Sequence, residues 1–438
     1  MYNSRGEAKT LLPRGIQMHI HKITLTNFRG ATSLSICLHE HLNVIIGENG
    51  TGKSTVLDAI AIMLSWIISG IRGNRVYRLQ ISEDDISNNQ GLASLEIICM
   101  DIDNNKTIKW RLEKGREKSG SLQLREEGLI DYTKRIQHST RHSTGYDYNQ
   151  INIPIFVYYP LNRAVLGISH GTVNTSNQMT AYDNALTKGA DFKNFFKWFR
   201  TQEDIENERK IDEKNYDYVD PQLQAVRTAL QQILPEFTLL TVRRNPLRME
   251  VDKKGKTLTF DQLSDGERCM IFMVSDLARR MIIANPRLKN PLEGKGIILI
   301  DEIDLHLHPH WQRMIIPKLT NIFPACQFIF STHSPSILTH VHPENVFLLK
   351  LEKGVMSVSQ PSNSYGKTAN RILEDLMELD TTRPEKIESD ICDIYQMIDN
   401  NELDSAKREI AVIKELIGDD PELTKAEVII KRKELIGK

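Results

Sequence analysis

The strongest chemical signal in the sequence is a glycine-rich loop. Residues 47–54 (GENGTGKS) match the phosphate-loop pattern GxxxxGK[ST], with an apolar run before them and a helix pattern after them. Glycines let backbone N–H groups turn inward around phosphate oxygens, and the helix N-terminus adds partial positive charge. The pattern predicts that Lys53 reaches the β- and γ-phosphates of a nucleotide and that the Ser54 hydroxyl holds Mg²⁺.

Two acids follow a second apolar run. The four residues 297–300 (IILI) predict a buried strand that delivers Asp301 and Glu302 at its carboxyl end, beside the phosphate loop. Asp301 would contact Mg²⁺ through water, and Glu302 would act as the general base or as a polariser for the attacking water. The alternative is a strand that simply ends in an acidic turn.

Two shorter motifs complete the set. Residues 263–267 (LSDGE) precede a helix pattern, so Ser264 and Gly266 could form a second anion cradle. One chain does not need two cradles for one nucleotide, whereas a head-to-tail dimer does; alone, the motif is an ordinary helix cap. His333, in residues 331–335 (STHSP), could hydrogen-bond a γ-phosphate, and its alternative is a lone loop histidine.

The order and spacing of these four motifs resemble the ABC-type ATPase heads of the RecF, Rad50 and SMC group over roughly residues 18–350. Residues 27–30 (NFRG) are similar to the opening of those heads, which makes Arg29 a candidate nucleotide contact. Residues 301–309 (DEIDLHLHP) resemble the Walker B and D-loop run of the OLD/RecF-like branch, with Asp304 in the D-loop, and His333 matches the switch histidine. By this resemblance the nucleotide contacts are Arg29, Asn49, Gly50, Gly52, Lys53, Ser54, Thr55, Ser264, Gly266 and Glu267, the catalytic residues are Glu302 and His333, and the Mg²⁺ ligands are Ser54 and Asp301.

The sequence also departs from those heads. No clean Q-loop glutamine is present, and Asn162 or Arg163 could substitute for it. The insert before LSDGE is about a hundred residues, far short of a Rad50 or SMC coiled coil. No Toprim-like run of acids follows residue 350, so we expect an ATPase that is not itself a nuclease. His306 and His308 could be read as a metal pair, but no Cys or His cluster completes a site, and the D-loop interpretation is preferred.

Composition narrows the class of protein. The chain has 438 residues with 56 basic and 57 acidic side chains, a formal net charge of −1, which excludes a polycationic nucleic-acid coat. Five scattered cysteines indicate a reducing compartment, so we expect a cytoplasmic protein. The longest apolar stretch, residues 60–71, is too short to cross a bilayer and reads as a buried helix.

The elements that must position these motifs predict an α/β fold, and the resemblance implies an ABC-type P-loop ATPase head with a mixed sheet flanked by helices and an antiparallel β-subdomain. The expected divisions are a flexible leader (1–17), an N-terminal ATPase lobe with a β-meander (18–165), a helical insertion (166–240), a C-terminal ATPase lobe (241–365) and a helical acidic tail (366–438).

Four further segments stand out in the sequence. Aromatic residues at 192–199 predict a helix buried against the head, or else a docking surface. Residues 106–141 carry ten basic against five acidic side chains, net +5, and residues 242–256 carry six against two, net +4. These could track DNA phosphates or be solvated faces. The tail from residue 375 carries ten against seventeen, net −7, and looks like a helical hairpin.

These observations predict an ATPase that binds ATP and Mg²⁺ and forms a homodimer or higher homo-oligomer through its ATP sites. The chain resembles ATPase subunits of bacterial antiphage systems, the Septu type with an HNH endonuclease first and the PARIS type with a Toprim nuclease second. The resemblance implies control of a separate nuclease. The alternatives are a RecF-like repair ATPase that acts directly on DNA and an oligomeric scaffold stabilised by ATP.

Overall fold

The computed structural model describes residues 18–116, 122–141, 151–161, 177–187, 191–377, 379, 381 and 383–436. The chain divides into two units, Met1–Lys367 and Thr368–Lys438. The strands are β1 (Met18–Phe28), β2 (Ala31–Cys37), β3 (Leu42–Ile46), β4 (Leu92–Asp101), β5 (Lys106–Gly115), β6 (Gln123–Glu127), β7 (Ile155–Tyr159), β8 (Phe237–Arg244), β9 (Leu247–Lys253), β10 (Lys256–Thr259), β11 (Gly296–Ile300), β12 (Cys326–Ser331), β13 (Val346–Glu352) and β14 (Val355–Ser359).

The helices of the first unit are α1 (Lys53–Arg72), α2 (Leu129–Arg141), α3 (Phe192–Asp212), α4 (Pro221–Ile233), α5 (Asp265–Ala284), α6 (Pro309–Ile322) and α7 (Pro335–Leu338). The second unit contains α8 (Ala369–Met377), α9 (Glu385–Asp399), α10 (Leu403–Ile417) and α11 (Pro421–Ile436). Capping residues explain where several helices begin. Asp220 accepts hydrogen bonds from the first-turn amides of α4.

A six-stranded mixed sheet organises the first unit, in the order β14-β13-β3-β12-β11-β7. The five strands from β13 to β7 run parallel, and β14 pairs antiparallel with β13. Strands β3, β11 and β7 are almost entirely buried, as continuous apolar runs in a parallel sheet must be. Their carboxyl ends therefore meet at one edge, where the predicted motifs begin.

Two antiparallel sheets complete the unit, β2-β1-β4-β5-β6 and β10-β9-β8. Gln327 on β12 joins the first of these to the mixed sheet. Its side chain exchanges hydrogen bonds with the backbone of Ile20, at 2.8 Å each way, and donates to the carbonyl of His39 at 2.7 Å. The predicted fold class, a mixed sheet with flanking helices and an antiparallel β-subdomain, is confirmed.

The aromatic stretch in α3 belongs to the core. All five aromatic side chains are buried: Phe192, Phe195, Phe196, Trp198 and Phe199. The ring centroids of Phe192 and Phe272, which lies on α5, are 4.0 Å apart. The aromatic face of α3 is therefore buried within the first unit, as the first of the two interpretations of this stretch predicts. Helix α1 is longer than the apolar stretch suggests. It is apolar enough to cross a membrane by composition, yet 78% of its most apolar window is buried inside the protein.

The second unit is a helical cluster with its own core. Isoleucines spaced along α9 and α10 pack with Leu423, Ala426 and Ile430 of α11. Helices α9 and α10 form the helical hairpin that the sequence suggested over residues 387–418. Helix α11, which starts at Pro421, was not expected separately and packs on them as a third long helix.

Candidate functional site

The phosphate loop joins β3 to α1, as its sequence predicts. Gly47, Gly50 and Gly52 all have positive φ angles, of 152°, 84° and 97°. A Cβ on Gly47 would overlap the carbonyl oxygen of Leu349, and one on Gly52 would overlap the side chain of Met356 on β14. Glycine is therefore required at Gly47 by conformation and by space, whereas at Gly52 the positive φ is the main requirement because the end of the Met356 side chain can move aside.

Lys53 is folded back over this loop. It is only 6% exposed, and its Nζ donates to the carbonyls of Gly47 at 3.0 Å and Glu48 at 2.8 Å. The residues predicted to line the phosphates differ in exposure: Asn49, Gly50 and Ser54 are exposed, whereas Gly52 and Thr55 are half-buried. The loop is therefore exposed at Asn49, Gly50 and Ser54, while the Lys53 side chain is buried against the loop carbonyls.

The paired acids stand at the end of β11, next to β12. Asp301 is 4% exposed and accepts a hydrogen bond from the Ser331 hydroxyl. The same hydroxyl oxygen accepts the backbone N–H of Glu302 at 2.7 Å. Glu302 has a φ of 43°, an uncommon conformation for a residue other than glycine, and this contact holds it there. Sequence reasoning did not assign a role to Ser331.

Asp304 links the D-loop to the switch histidine. Its Oδ1 accepts the Thr332 hydroxyl at 2.5 Å and the backbone N–H of His333 at 3.4 Å. Gln312 on α6 donates to the carbonyl of Leu307 at 3.0 Å and accepts the Ser334 hydroxyl at 2.8 Å. The segments 301–307 and 331–334 are thus bound to each other on both sides of His333.

The charged groups of the site act on Lys53 and on His333. Burial lowers the pKa of Lys53 below its ordinary value, and the nearby carboxylates of Glu302, Asp301 and Asp304 oppose that shift. Burial also lowers the pKa of His333, and the ammonium of Lys53 adds to the effect while the same three acids oppose it. Lys53 and His333 interact with the same three acids, so the motifs predicted at positions 53, 301, 302, 304 and 333 converge on one site.

The donor set suits Mg²⁺. The Ser54 hydroxyl and the Asp301 carboxylate are hard oxygen ligands, the type that Mg²⁺ prefers, and Mg²⁺ usually takes few protein ligands besides substrate phosphates and water. No cluster of three or more His, Cys, Asp or Glu side chains that could hold a metal occurs among the described residues. His308 instead caps α6, where its Nδ1 accepts the N–H of His310 at 3.2 Å.

The LSDGE segment caps α5. Ser264 and Glu267 form a reciprocal capping box, and Lys253 pairs with the Glu267 carboxylate. Burial opposes but does not outweigh these hydrogen bonds, so the pKa of Glu267 stays below its ordinary value. Gly266 abuts the carbonyl of His306, with no room for a Cβ. Ser264 is exposed, whereas Gly266 and Glu267 are buried by contacts inside the chain.

Arg29 lies at the turn between β1 and β2 and contacts two acids. Its Nη1 donates to Asp58 on α1 at 2.5 Å, and its Nε donates to Asp85 at 2.8 Å. Neither acid was singled out from the sequence, because both lie far from Arg29 in the chain. The proposed Q-loop substitutes, Asn162 and Arg163, lie outside the described residues.

Several bases of the two basic segments pair with nearby acids. In the first, Lys109 pairs with Glu96, Arg111 and Arg125 with Glu113, and Arg135 with Asp101. The second shows the same arrangement, with ion pairs Arg243–Glu250, Arg244–Glu203, Arg248–Glu250, Lys253–Glu267 and Lys254–Glu236. Lys118 and the side chain of Arg141 lie outside the described part of the chain. These ion pairs favour the interpretation that both segments are solvated faces rather than a groove that binds nucleic acid.

Comparison with family models places ATPase domains on both halves of the first unit. A model for an AAA domain matches residues 22–238. A second AAA-domain model, of the AbiEii toxin type, matches residues 171–339. Together the two matched ranges contain the phosphate loop, the paired acids and His333.

Similarity to other proteins extends over most of the chain. The "Retron Vc95 probable ATPase" of Vibrio cholerae is 31% identical over 407 residues, covering 82% of this chain and 78% of that protein. The "Septu protein PtuA" of Bacillus thuringiensis is 25% identical, covering 83% of this chain and 85% of that protein. Among solved structures, an Smc head bound to the C-winged helix domain of ScpA is 17% identical, with a TM-score of 0.47, and covers 78% of this chain and 97% of that one.

Proposed function

The chain belongs to the ATPase family of the retron Vc95 protein, and from that premise we propose that it binds ATP at residues 47–55 and hydrolyses it. The observation that carries this proposal is the convergence of Lys53, Asp301, Glu302, Asp304 and His333 at one edge of the parallel sheet. Strands β3, β12 and β11 are neighbours there, so their loops act on a single ligand.

Each side chain has a distinct part in this reaction. Lys53 and the N–H groups of the loop bind the phosphates, and Arg29 adds a contact from the β1–β2 turn. Ser54 and Asp301 would hold Mg²⁺, which neutralises phosphate charge when bound. Glu302, fixed by Ser331, polarises the attacking water, and His333, held neutral by its surroundings, hydrogen-bonds the γ-phosphate.

Hydrolysis measured on four proteins tests this assignment. We expect Glu302→Gln to bind ATP normally and to lose about 10²- to 10³-fold in turnover, because the amide cannot accept a proton. Lys53→Ala should lose ATP binding. Glu352→Gln, an exposed acid on β13, serves as the matched control and should behave as wild type. Equal turnover by wild type and Glu302→Gln would remove Glu302 from the mechanism.

We propose further that two heads associate head-to-tail around ATP. The exposed Ser264 at the start of α5 supports this arrangement, because its hydroxyl and the helix N-terminus can meet a phosphate on a second copy. Glu302→Gln should form dimers or larger oligomers with ATP but not without it, measured by sedimentation. Ser264→Arg should block that assembly while ATP binding to the single chain persists.

The nucleotide state is proposed to control a separate nuclease in antiphage defence, of the HNH type first and the Toprim type second. Similarity to Septu PtuA and to the retron ATPase along most of the chain supports this role. Co-purification with the product of an adjacent gene, and loss of phage resistance when the gene is deleted, test it. Salt-sensitive duplex binding with ATP and no nuclease partner would instead favour a RecF-like DNA function.

A further inference from the structure

A strained turn carries Arg29. Phe28 at the end of β1 pairs with Ala31 at the start of β2, so Arg29 and Gly30 form the whole connection. Arg29 has a φ of 52°, in the left-handed region that arginine seldom adopts. The backbone is clamped by residues 85–87: the Arg29 N–H donates to the Asp85 carbonyl at 2.6 Å, and the Ser87 hydroxyl donates to the Arg29 carbonyl at 2.7 Å.

The side chain of Arg29 is held as firmly as its backbone. Asp85 accepts from its Nε, while the other oxygen of Asp85 accepts both the N–H and the hydroxyl of Ser82, at 2.8 and 2.7 Å. Asp58 accepts from Nη1 at 2.5 Å. A guanidinium has five N–H donors, and the side chain is 36% exposed. Donors are therefore left to face a ligand.

Asp58 connects this turn to the catalytic sheet. It lies on α1 one helical turn after Ser54, so the two side chains share a face of the helix. Its Oδ2 binds Arg29, and its Oδ1 accepts the hydroxyl of Tyr158 at 2.8 Å. Tyr158 is buried on β7, opposite Leu299 of β11, the strand that delivers Asp301. Burial and the charge of Asp58 raise the pKa of Tyr158, which keeps the phenol a donor.

We propose that Asp58 is a positioning residue for ATP binding and hydrolysis, through a single carboxylate that fixes Arg29 and the end of β7 against the first turns of the phosphate-loop helix. This inference rests on the proposed ATPase function. Asp58 itself does not contact nucleotide in this proposal, and its effect on the reaction passes through Arg29.

A double-mutant cycle tests that route. Affinity for a fluorescent ATP analogue and ATP turnover are measured for wild type, Asp58→Asn, Arg29→Ala and the double variant. We expect each single variant to weaken affinity about tenfold and the double variant to be no weaker than Arg29→Ala alone, since coupled residues are non-additive. Independent, multiplicative losses would overturn the inference, because Asp58 would then act by another route.

Controls separate positioning from stability. Asp204→Asn removes a carboxylate that pairs with Arg244 at the same 2.5 Å, and it should leave affinity unchanged. Thermal unfolding without nucleotide should be similar for all variants. If Asp58→Asn does not fold, Asp58→Glu keeps the charge but shifts the carboxylate by one methylene, and the same non-additivity with Arg29→Ala is expected. A wild type that binds no ATP would overturn the proposed function as well, whereas normal wild-type turnover with an unaltered Asp58→Asn would overturn only this inference.

Discussion

The Asp304 carboxylate accepts the Thr332 hydroxyl at 2.5 Å, which ties the D-loop to the end of the strand that carries His333. The N–H of His333 points to the same oxygen at 3.4 Å. Residue 304 thus sets the position of His333 relative to Asp301 and Glu302. Because the contact lies within one chain, it exists before any assembly through ATP.

Removing this contact should slow hydrolysis without preventing ATP binding. We expect Asp304→Ala to lower turnover about 10- to 100-fold, because His333 and Glu302 lose their relative alignment. ATP affinity should change less than about twofold, since the hydrogen bonds of Lys53 are untouched. Thr332→Val removes the same hydrogen bond at nearly constant shape and should show a smaller loss in the same direction. Unaltered turnover in both variants would contradict the alignment role.

The protonation of His333 predicts an acidic limit to activity. Burial, then Lys53, lowers its pKa in the folded protein, so the ring is neutral at neutral pH. Turnover should be level between about pH 7 and 8 and fall as acid protonates the ring. The unfolded chain takes up this proton first, near the ordinary pKa of 6.5, so stability also decreases as pH falls through that value and levels off below the folded pKa.

Substitution of His333 checks this pH dependence. His333→Asn cannot titrate, so its residual turnover should lack the acidic limb that wild type shows. His41→Asn changes a mostly exposed histidine and should keep the wild-type profile. An acidic limb that survives in His333→Asn would assign the titration to another group.

The close approach of Gly266 to the D-loop predicts a stability effect. A Cβ at this position would overlap the carbonyl oxygen of His306, and backbone cannot move aside as a flexible side chain can. We expect Gly266→Ala to reduce the free energy of unfolding by about 1–3 kcal/mol, measured by chemical denaturation. Gly255→Ala, where nothing lies within 4 Å, tests the cost of a positive φ alone. No loss of stability in Gly266→Ala would contradict the contact.

Sequence reasoning succeeded where the signal is local. The phosphate loop and the apolar strand before Asp301 are each defined by fewer than ten consecutive residues. It could not find Ser331 as the partner of Asp301. Parallel pairing of β11 with β12 brings these residues together across 30 positions, and a register between strands is not visible in either strand alone.

The contacts of Arg29 show the same limit. Asp58 and Asp85 are ordinary acids in the sequence. Only the packing of the β1–β2 turn on α1 and on residues 85–87 brings both of them to Arg29. The basic segments illustrate the converse. Net charges of +5 and +4 are correct counts, but acids outside the counted ranges, such as Glu96 and Glu203, pair with several of these bases. Local charge therefore says little about a surface until its neighbours are known.

The apolar core shared by α9, α10 and α11 predicts that a substitution within it lowers the stability of the second unit. Ile394 on α9 is fully buried among the apolar side chains of α10 and α11. Ile394→Ala should cost about 2–5 kcal/mol, because the surrounding helices cannot close the cavity completely. Val412, on α10, is 59% exposed, so Val412→Ala is a matched control that should change stability by less than about 0.5 kcal/mol. Hydrogen exchange on the full chain measures both, and equal protection of α9–α11 in the two variants would contradict a cooperative core in this unit.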